Sequence, residues 1–346
     1  MPNAQDHDSA PRPKLSYIAK IAGSTPSTVS KVINGRGGVS QETRDRIEAV
    51  LRELNYAKRP VRHRNSTVIM LVVHSMRQQW IPDLLQGAAD YAADNRLTVA
   101  VCAKTDGDGR RDDRYLQTIR QAKPLAMVFD SAYVSMQDRT LCQELQTEYA
   151  VIDPSGTPSQ DRFEVRIDNW AGGWEVGRHL LELGHRRFGV ITGDPAMACF
   201  PARLDGFRSA LREQGVHLDG RLLASGDNWT EESRIQALRM LSRADRPTAI
   251  FACSDTQAYG VYDAAHQLGL DIPHDLSVVG FDDIESVRHL GPPLTTVRQP
   301  LPEMVRSAFE LMLGARRTGM PDKLLVPPTL VRRGSTASPP TAGSAA

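Results

Sequence analysis

Apolar residues recur along this chain in two rhythms, one after the other. In the first stretch Leu15, Ile18, Ala19, Ile21 and Ala22 fall at helical spacing, and Gly23 closes the run where a helix C-cap belongs. Thr25 is placed to cap a second helix with Pro26 in its first turn, and Val29, Val32 and Ile33 form its buried stripe before Asn34-Gly35 stops it. Ser40 caps a third helix, whose apolar face is Ile47, Val50, Leu51 and Leu54, with Glu42 favouring its N-terminus. Three short helices with a tight glycine turn between the first two predict a helix-turn-helix. Its second helix presents Pro26, Ser27, Thr28, Ser30 and Lys31 outward. Short polar side chains on that face let a helix sit deep in a major groove.

From Thr67 the rhythm changes to strands alternating with helices. Val68 to Val73 is a continuous apolar run, as a parallel strand buried on both faces requires. A helix over 84–91, a strand over 97–101, a helix over 115–122 and strands over 126–129 and 149–152 follow. A second set begins after Asp168, with helices over 171–183, 202–214, 231–241 and 256–268. Its strands are predicted over 188–192, 222–224, 249–252 and 276–281. Repeated βα units imply doubly wound parallel sheets, two sets imply two lobes, and small ligands bind between such lobes at the carboxyl ends of the strands. Met304 to Leu313 has the apolar spacing of one more helix.

Charge sharpens the division. Residues 14–66 carry eleven Lys/Arg against four Asp/Glu, a net +7, whereas the whole chain is +1. A basic head on a mildly acidic body is the footprint of a nucleic-acid binder. No run of about 18 apolar residues exists to span a membrane. Residues 1–13 are polar, lack the apolar stretch of a secretory signal, and read as a disordered lead-in; residues 335–346 read as a disordered Ser/Thr/Pro/Ala tail. Cys102, Cys142, Cys199 and Cys253 lie far apart and give neither a disulfide framework nor metal spacing, so they read as small buried hydrophobes in a reducing compartment.

Enzyme signatures are missing from the sequence. There is no Rossmann-spaced glycine fingerprint, no phosphate-binding G-x-x-x-x-G-K-[ST] loop and no G-x-S-x-G elbow. Asp282 and Asp283 are adjacent on a strand and point to opposite sides, which argues against an acid/base pair. His185 reads as a loop residue between helix and strand. Asp283 reads as a helix cap, and Trp170 and Trp174 as core. No cofactor and no metal are expected.

Leu15 to Tyr56, with its core S-T-V-S-K-V-I-N-G, resembles the DNA-binding domain of the lac-repressor/galactose-repressor family of bacterial transcription regulators. The resemblance continues through L-E-L-G-H-R-R-F-G-V-I-T-G (181–193), A-R-L-D-G-F (202–207), P-T-A-I-F-A-C-S-D (247–255), L-S-V-V-G-F-D-D (276–283) and P-P-L-T-T-V-R-Q-P (292–300). It implies a small all-α helix-turn-helix domain (14–56), a hinge (57–66) and a two-lobed α/β sensor with doubly wound parallel sheets (67–334). The lobes are expected to comprise about 67–167 plus 299–334, and 168–298. The family's hinge carries an Ala-x-x-Leu that wedges into the minor groove. Residues 57–66 have no leucine, hold Pro60 and are rich in Lys and Arg, which suits phosphate contact instead.

By the same resemblance a homodimer binds near-palindromic operator DNA, as a repressor. Pro26, Ser27 and Lys31 would face bases; Thr25, Thr28, Ser30, Asn34, Ser40 and Tyr56 would meet the backbone or pack the head. A small, sugar-like effector would contact Asp153, Arg203, Asp282, Gln299 and either Ser254 or Asp255, the latter being also a candidate helix cap. Trp80 and Trp229 are candidate platforms for the apolar face of a sugar. A cytoplasmic regulator is therefore expected. The alternative, a solute-binding protein without a regulatory role, shares the two-lobed body but needs a signal peptide and has no use for the basic head.

Overall fold

The computed structural model describes residues 15–33, 38–53, 66–106, 109–130, 134–154, 163–225, 230–314 and 322–340. The chain forms two compact units, dividing after Val61. In the first unit α1 (Leu15–Ile21), α2 (Pro26–Ile33) and α3 (Gln41–Glu53) bury Ile18, Ala22, Val29, Val32, Ile47 and Val50 together. The helical periodicity of these positions is what makes one shared core from three short helices that are each too short to persist alone. Gly23 adopts φ +58°, which lets the backbone reverse after α1 while the Ser24 amide donates to the Ala19 carbonyl at 2.8 Å. Leu54 and the hinge at 57–65 lie outside the described residues.

The second unit contains two sheets. The first is ordered β11-β5-β4-β3-β1-β2, from β1 (Val68–Val73), β2 (Thr98–Ala103), β3 (Ala126–Phe129), β4 (Glu148–Ile152), β5 (Phe163–Ile167) and β11 (Lys323–Val326), all parallel. Alternate residues of β1 go to opposite faces. Ile69, Leu71 and Val73 pack against α4 (Ile81–Asn95) and α11 (Leu301–Leu313), and Met70 and Val72 against α5 (Arg114–Ala122) and α6 (Met136–Leu145). The continuous apolar run thus reflects cover on both faces.

The second sheet is ordered β12-β10-β9-β8-β6-β7. Its strands are β6 (Phe188–Thr192), β7 (Leu223–Ser225), β8 (Ala249–Ala252), β9 (Ser277–Asp282), β10 (Thr295–Arg298) and β12 (Thr329–Val331). Helices α7 (Asn169–Glu182) and α8 (Cys199–Glu213) cover one face; α9 (Thr230–Leu241) and α10 (Asp255–Gln267) cover the other. Helices α7 and α8 meet backbone to backbone. A Cβ at Gly173 would overlap the Arg203 carbonyl, and one at Gly206 would overlap the Trp170 carbonyl. No helix among the described residues is long and apolar enough to cross a membrane.

Two expectations about the C-terminal part are corrected. Residues 299–334 do not all join the first lobe. The chain enters it through α11 and β11, then crosses back, because β12 completes the second sheet antiparallel to β10 with Thr296 opposite Val331. Ser335 to Pro340 is an ordered strap on the second lobe. The Ser335 hydroxyl, fully buried, donates to the Val278 carbonyl at 2.6 Å and accepts from the Thr295 amide at 2.8 Å. Composition suggested disorder there, but these backbone groups of β9 and β10 need partners and the strap supplies them. His185, between α7 and β6 as expected, is buried and bonded to Thr248 Oγ1 (2.9 Å), Ser277 Oγ (3.1 Å) and the Ala337 carbonyl (2.9 Å).

Candidate functional site

In the helical unit, Thr25 caps α2, its hydroxyl accepting from the Thr28 amide at 3.2 Å and lying 2.8 Å from both Ser27 Oγ and Thr28 Oγ1. Thr25, Pro26, Ser27 and Lys31 are exposed, Thr28 and Ser30 half-buried, and Val29 and Val32 buried. One face of α2 is therefore a row of small hydroxyl groups ending in a lysine. Ser40 is exposed and caps α3, its hydroxyl accepting from the Thr43 amide at 3.4 Å and donating to Thr43 Oγ1 at 2.8 Å. Asn34 and Tyr56 lie outside the described residues.

The two-lobed unit holds a cavity of about 680 Å³, mouth included, between its sheets. Its place between two lobes, at the carboxyl ends of the strands, is where small ligands bind in such folds. Residues at or just past strand carboxyl ends line it: Asp130 after β3, Ile152 and Asp153 at β4, Ser254 after β8, Asp282 ending β9 and Gln299 after β10. Trp80, Leu84 and Leu301 from the first lobe and Met197, Cys199, Phe200 and Arg203 from the second also line it.

A chain of polar side chains runs through this wall. Asn169 Nδ2 donates to Asp153 Oδ2 at 2.9 Å, and Arg203 Nε donates to Asn169 Oδ1 at 2.8 Å. Arg203 Nη1 donates to the Cys253 carbonyl at 2.6 Å and lies 3.5 Å from Asp282 Oδ1, which accepts from Gln299 Nε2 at 2.5 Å. The guanidinium is 4% exposed and lies over the Phe281 ring. Every link fixes the next, so acceptors and donors are held ready for a ligand. Asp153 and Asp282 sit at positive φ, +43° and +124°, backbone geometry that turns each carboxylate at its strand end and concentrates strain at this cleft.

The electrostatics fit a poorly hydrated site. Burial pushes Asp130 up to about 7, against the His74 amide (2.7 Å from Oδ1) and Lys104, which hold it down. Burial likewise raises Asp282 to about 6 against Arg203, and raises Asp153 against the Asn169 hydrogen bond. The apolar surfaces of Trp80 and Phe200 complement these polar groups.

The cleft brings together six of the residues expected from sequence: Trp80, Asp153, Arg203, Ser254, Asp282 and Gln299. Asp255 is not among its lining residues. It is fully buried beneath β9 and β10, accepting from Thr296 Oγ1 at 2.6 Å and the Ile284 amide at 3.0 Å, because a carboxylate there satisfies both groups. Trp229 lies outside the described residues. Asp283 is not a helix cap; it pairs with Arg298 (2.6 Å) and Arg333 (2.5 Å). Trp170 is 45% exposed and not core. Asp130 and Asn169 escaped the sequence reading. Asp130 carries the same signal as Asp153, an aspartate directly after an apolar strand, whereas Asn169 has no distinguishing pattern.

Comparison with known proteins agrees with both halves. Residues 14–58 match the family described as bacterial regulatory proteins, lacI family, and residues 178–336 match a periplasmic binding protein-like domain. The chain is 34% identical over 329 residues to the ribose operon repressor of Haemophilus influenzae, covering 92% of this chain and 97% of that protein. It is 32% identical over 332 residues to the HTH-type transcriptional regulator DegA of Bacillus subtilis, with 92% and 96% covered. Among solved structures, the transcriptional regulator CelR–cellobiose complex matches with a TM-score of 0.69 at 28% identity, covering 94% of this chain and 100% of that one.

Proposed function

This chain belongs to the lacI family of bacterial regulatory proteins, and we propose that within it the protein is a cytoplasmic repressor of carbohydrate-utilisation genes controlled by a sugar-like effector. It is a DNA-binding transcription regulator, and its relatives are regulators rather than enzymes or solute carriers. We assign the exposed face of α2, Pro26, Ser27 and Lys31, to base contact in the major groove. Thr25, Thr28, Ser30, Asn34, Ser40 and Tyr56 are assigned to the phosphate backbone or to packing the head. A homodimer would set two such helices in successive grooves of a near-palindromic operator, about 34 Å apart.

The observation that carries the effector reading is the Asp153–Asn169–Arg203–Asp282–Gln299 chain. Hydroxyl groups both donate and accept, so a polyol satisfies carboxylates and guanidinium together while its apolar face rests on Trp80 or Phe200. Two relatives are named for sugars, one as a ribose operon repressor and one as a complex with cellobiose. The effector acts by favouring one disposition of the two lobes, to which the dimer's DNA affinity is linked.

Thermal unfolding of the purified protein against pentoses, hexoses, disaccharides and purines tests this reading. A sugar present at about 100 times its dissociation constant stabilises by about 2.7 kcal/mol. Stabilisation of wild type but not of Arg203→Ala by one sugar is expected. A purine acting in place of every sugar would overturn the assignment.

A further inference from the structure

Resting on the sugar reading of the cleft, we infer that it selects ligands rich in hydroxyl donors and bearing no anionic group, and that Asp130 is the first-lobe residue that enforces this selection. A phosphorylated sugar or a sugar acid is excluded, and the uncharged parent is the ligand.

Among the described residues, three carboxylates, Asp130, Asp153 and Asp282, line the cavity with a single guanidinium, Arg203. That cation is largely committed. Its Nε and Nη1 groups serve Asn169, the Cys253 carbonyl and Asp282, and its π face covers Phe281 at 3.6 Å. Only Nη2 has no hydrogen-bond partner among the described residues. An anionic group entering the cleft meets three carboxylates and a guanidinium already engaged through Nε and Nη1, with only the neutral donors of Trp80, Ser254 and Gln299 beside them.

Asp130 holds the opposite wall. The His74 amide fixes its Oδ1, placing the carboxylate at the end of β3. The charged and titratable groups that bear on it are few. Lys104 is the neighbouring cation and is already paired with Asp138 at 2.9 Å, while the His74 imidazole is held towards its neutral form by burial and by Lys104. With Asp153 on the next strand, the first lobe's described lining residues offer the ligand carboxylate acceptors and no cation. Hydroxyl groups donate to such a wall, whereas a phosphate is repelled by it. The upward shifts of Asp130 and Asp282 agree, since a cleft that already disfavours its own negative charge disfavours another.

The test is isothermal calorimetry at pH 7.5 on the full chain with paired probes. These are D-ribose and D-ribose 5-phosphate, D-glucose and D-glucose 6-phosphate, with cellobiose and hypoxanthine alongside. One uncharged sugar should bind, and its phosphate ester about 100-fold or more weaker, the penalty for like charges a few ångströms apart at a partly buried site. Asp130→Asn should narrow that ratio by about 10-fold, and Asp153→Asn serves if Asp130→Asn fails to fold. An ester that binds as tightly as its parent would overturn the charge selection and leave the sugar site standing. Hypoxanthine binding without any sugar would overturn the sugar reading yet conform to the exclusion of anions. Silence from every probe overturns both.

Discussion

The guanidinium carbon of Arg203 lies 3.6 Å from the ring centroid of Phe281, the residue that precedes Asp282 at the end of β9. One stacking contact therefore aligns the cation of the cleft with its strongest carboxylate partner. In a desolvated setting such a cation–π contact contributes up to about 2 kcal/mol, and it depends on the planar fork of arginine. Arg203→Lys keeps the charge but loses the fork and the stack. Sugar affinity should fall about 10-fold or more and stability should drop by about 2 kcal/mol with the fold retained, as calorimetry, denaturant unfolding and circular dichroism can check. Unaltered affinity would remove Arg203 from the ligand site.

The close crossing of α7 and α8 makes a second prediction. Gly173→Ala forces the helices apart at the Arg203 carbonyl itself. Denaturant unfolding should show a loss of about 2 kcal/mol or more. Sugar binding should weaken as well, because Arg203 shifts with its helix.

The C-terminal strap makes a third. Ser335→Ala leaves the Thr295 amide and the Val278 carbonyl without their buried partner, costing about 2 kcal/mol. A disordered tail would show no change.

Histidine titration gives the fourth. Burial, reinforced by Arg332, lowers His179 from the usual 6.5 to about 4, and His185 is lowered by burial as well. Below pH 6.5 the unfolded chain takes up these protons and the folded chain resists them. Their contribution is complete above pH 6.5 and is lost as the pH falls towards 4. The raised Asp130 and Asp282 act in the opposite sense, the folded state gaining from them as the pH falls below about 7 and 6. Comparing wild type with His179→Gln isolates the histidine. The variant should lack roughly 3 kcal/mol of the wild-type rise between pH 4 and 7.

The sequence made much of this molecule legible because unbroken apolar runs mark the buried parallel strands and the 3.6-residue period marks the amphipathic helices. The unforeseen elements lacked that signal. β5 reads Phe-Glu-Val-Arg-Ile, an alternation with charges that suggests no central strand. Yet Glu164 is buried by pairing with Lys323 of β11 at 2.6 Å and with Arg166 at 2.9 Å. α6 opens on the polar run Gln137-Asp138-Arg139, and Asp138 turns inward because Ser135, Tyr115 and Lys104 all bond to it. In the cleft, the aspartates at strand ends followed one pattern, and applying it to Phe129-Asp130 as to Ile152-Asp153 would have found the third. Asp255 and Asp283 followed a similar pattern and proved structural, since only packing decides which side of a strand end faces the cavity.

The central claim, that α2 reads DNA and the cleft governs it, is tested most directly by one titration. A duplex selected from random DNA by the purified protein would be followed by fluorescence anisotropy at fixed salt, with and without the stabilising sugar. Wild type, Lys31→Ala and Arg203→Ala would be compared. The account predicts that sugar changes wild-type affinity for the duplex, that Lys31→Ala binds DNA more weakly yet takes up sugar normally, and that Arg203→Ala binds DNA but ignores sugar. Undiminished DNA binding by Lys31→Ala, or an Arg203→Ala protein that still responds to sugar, would contradict it.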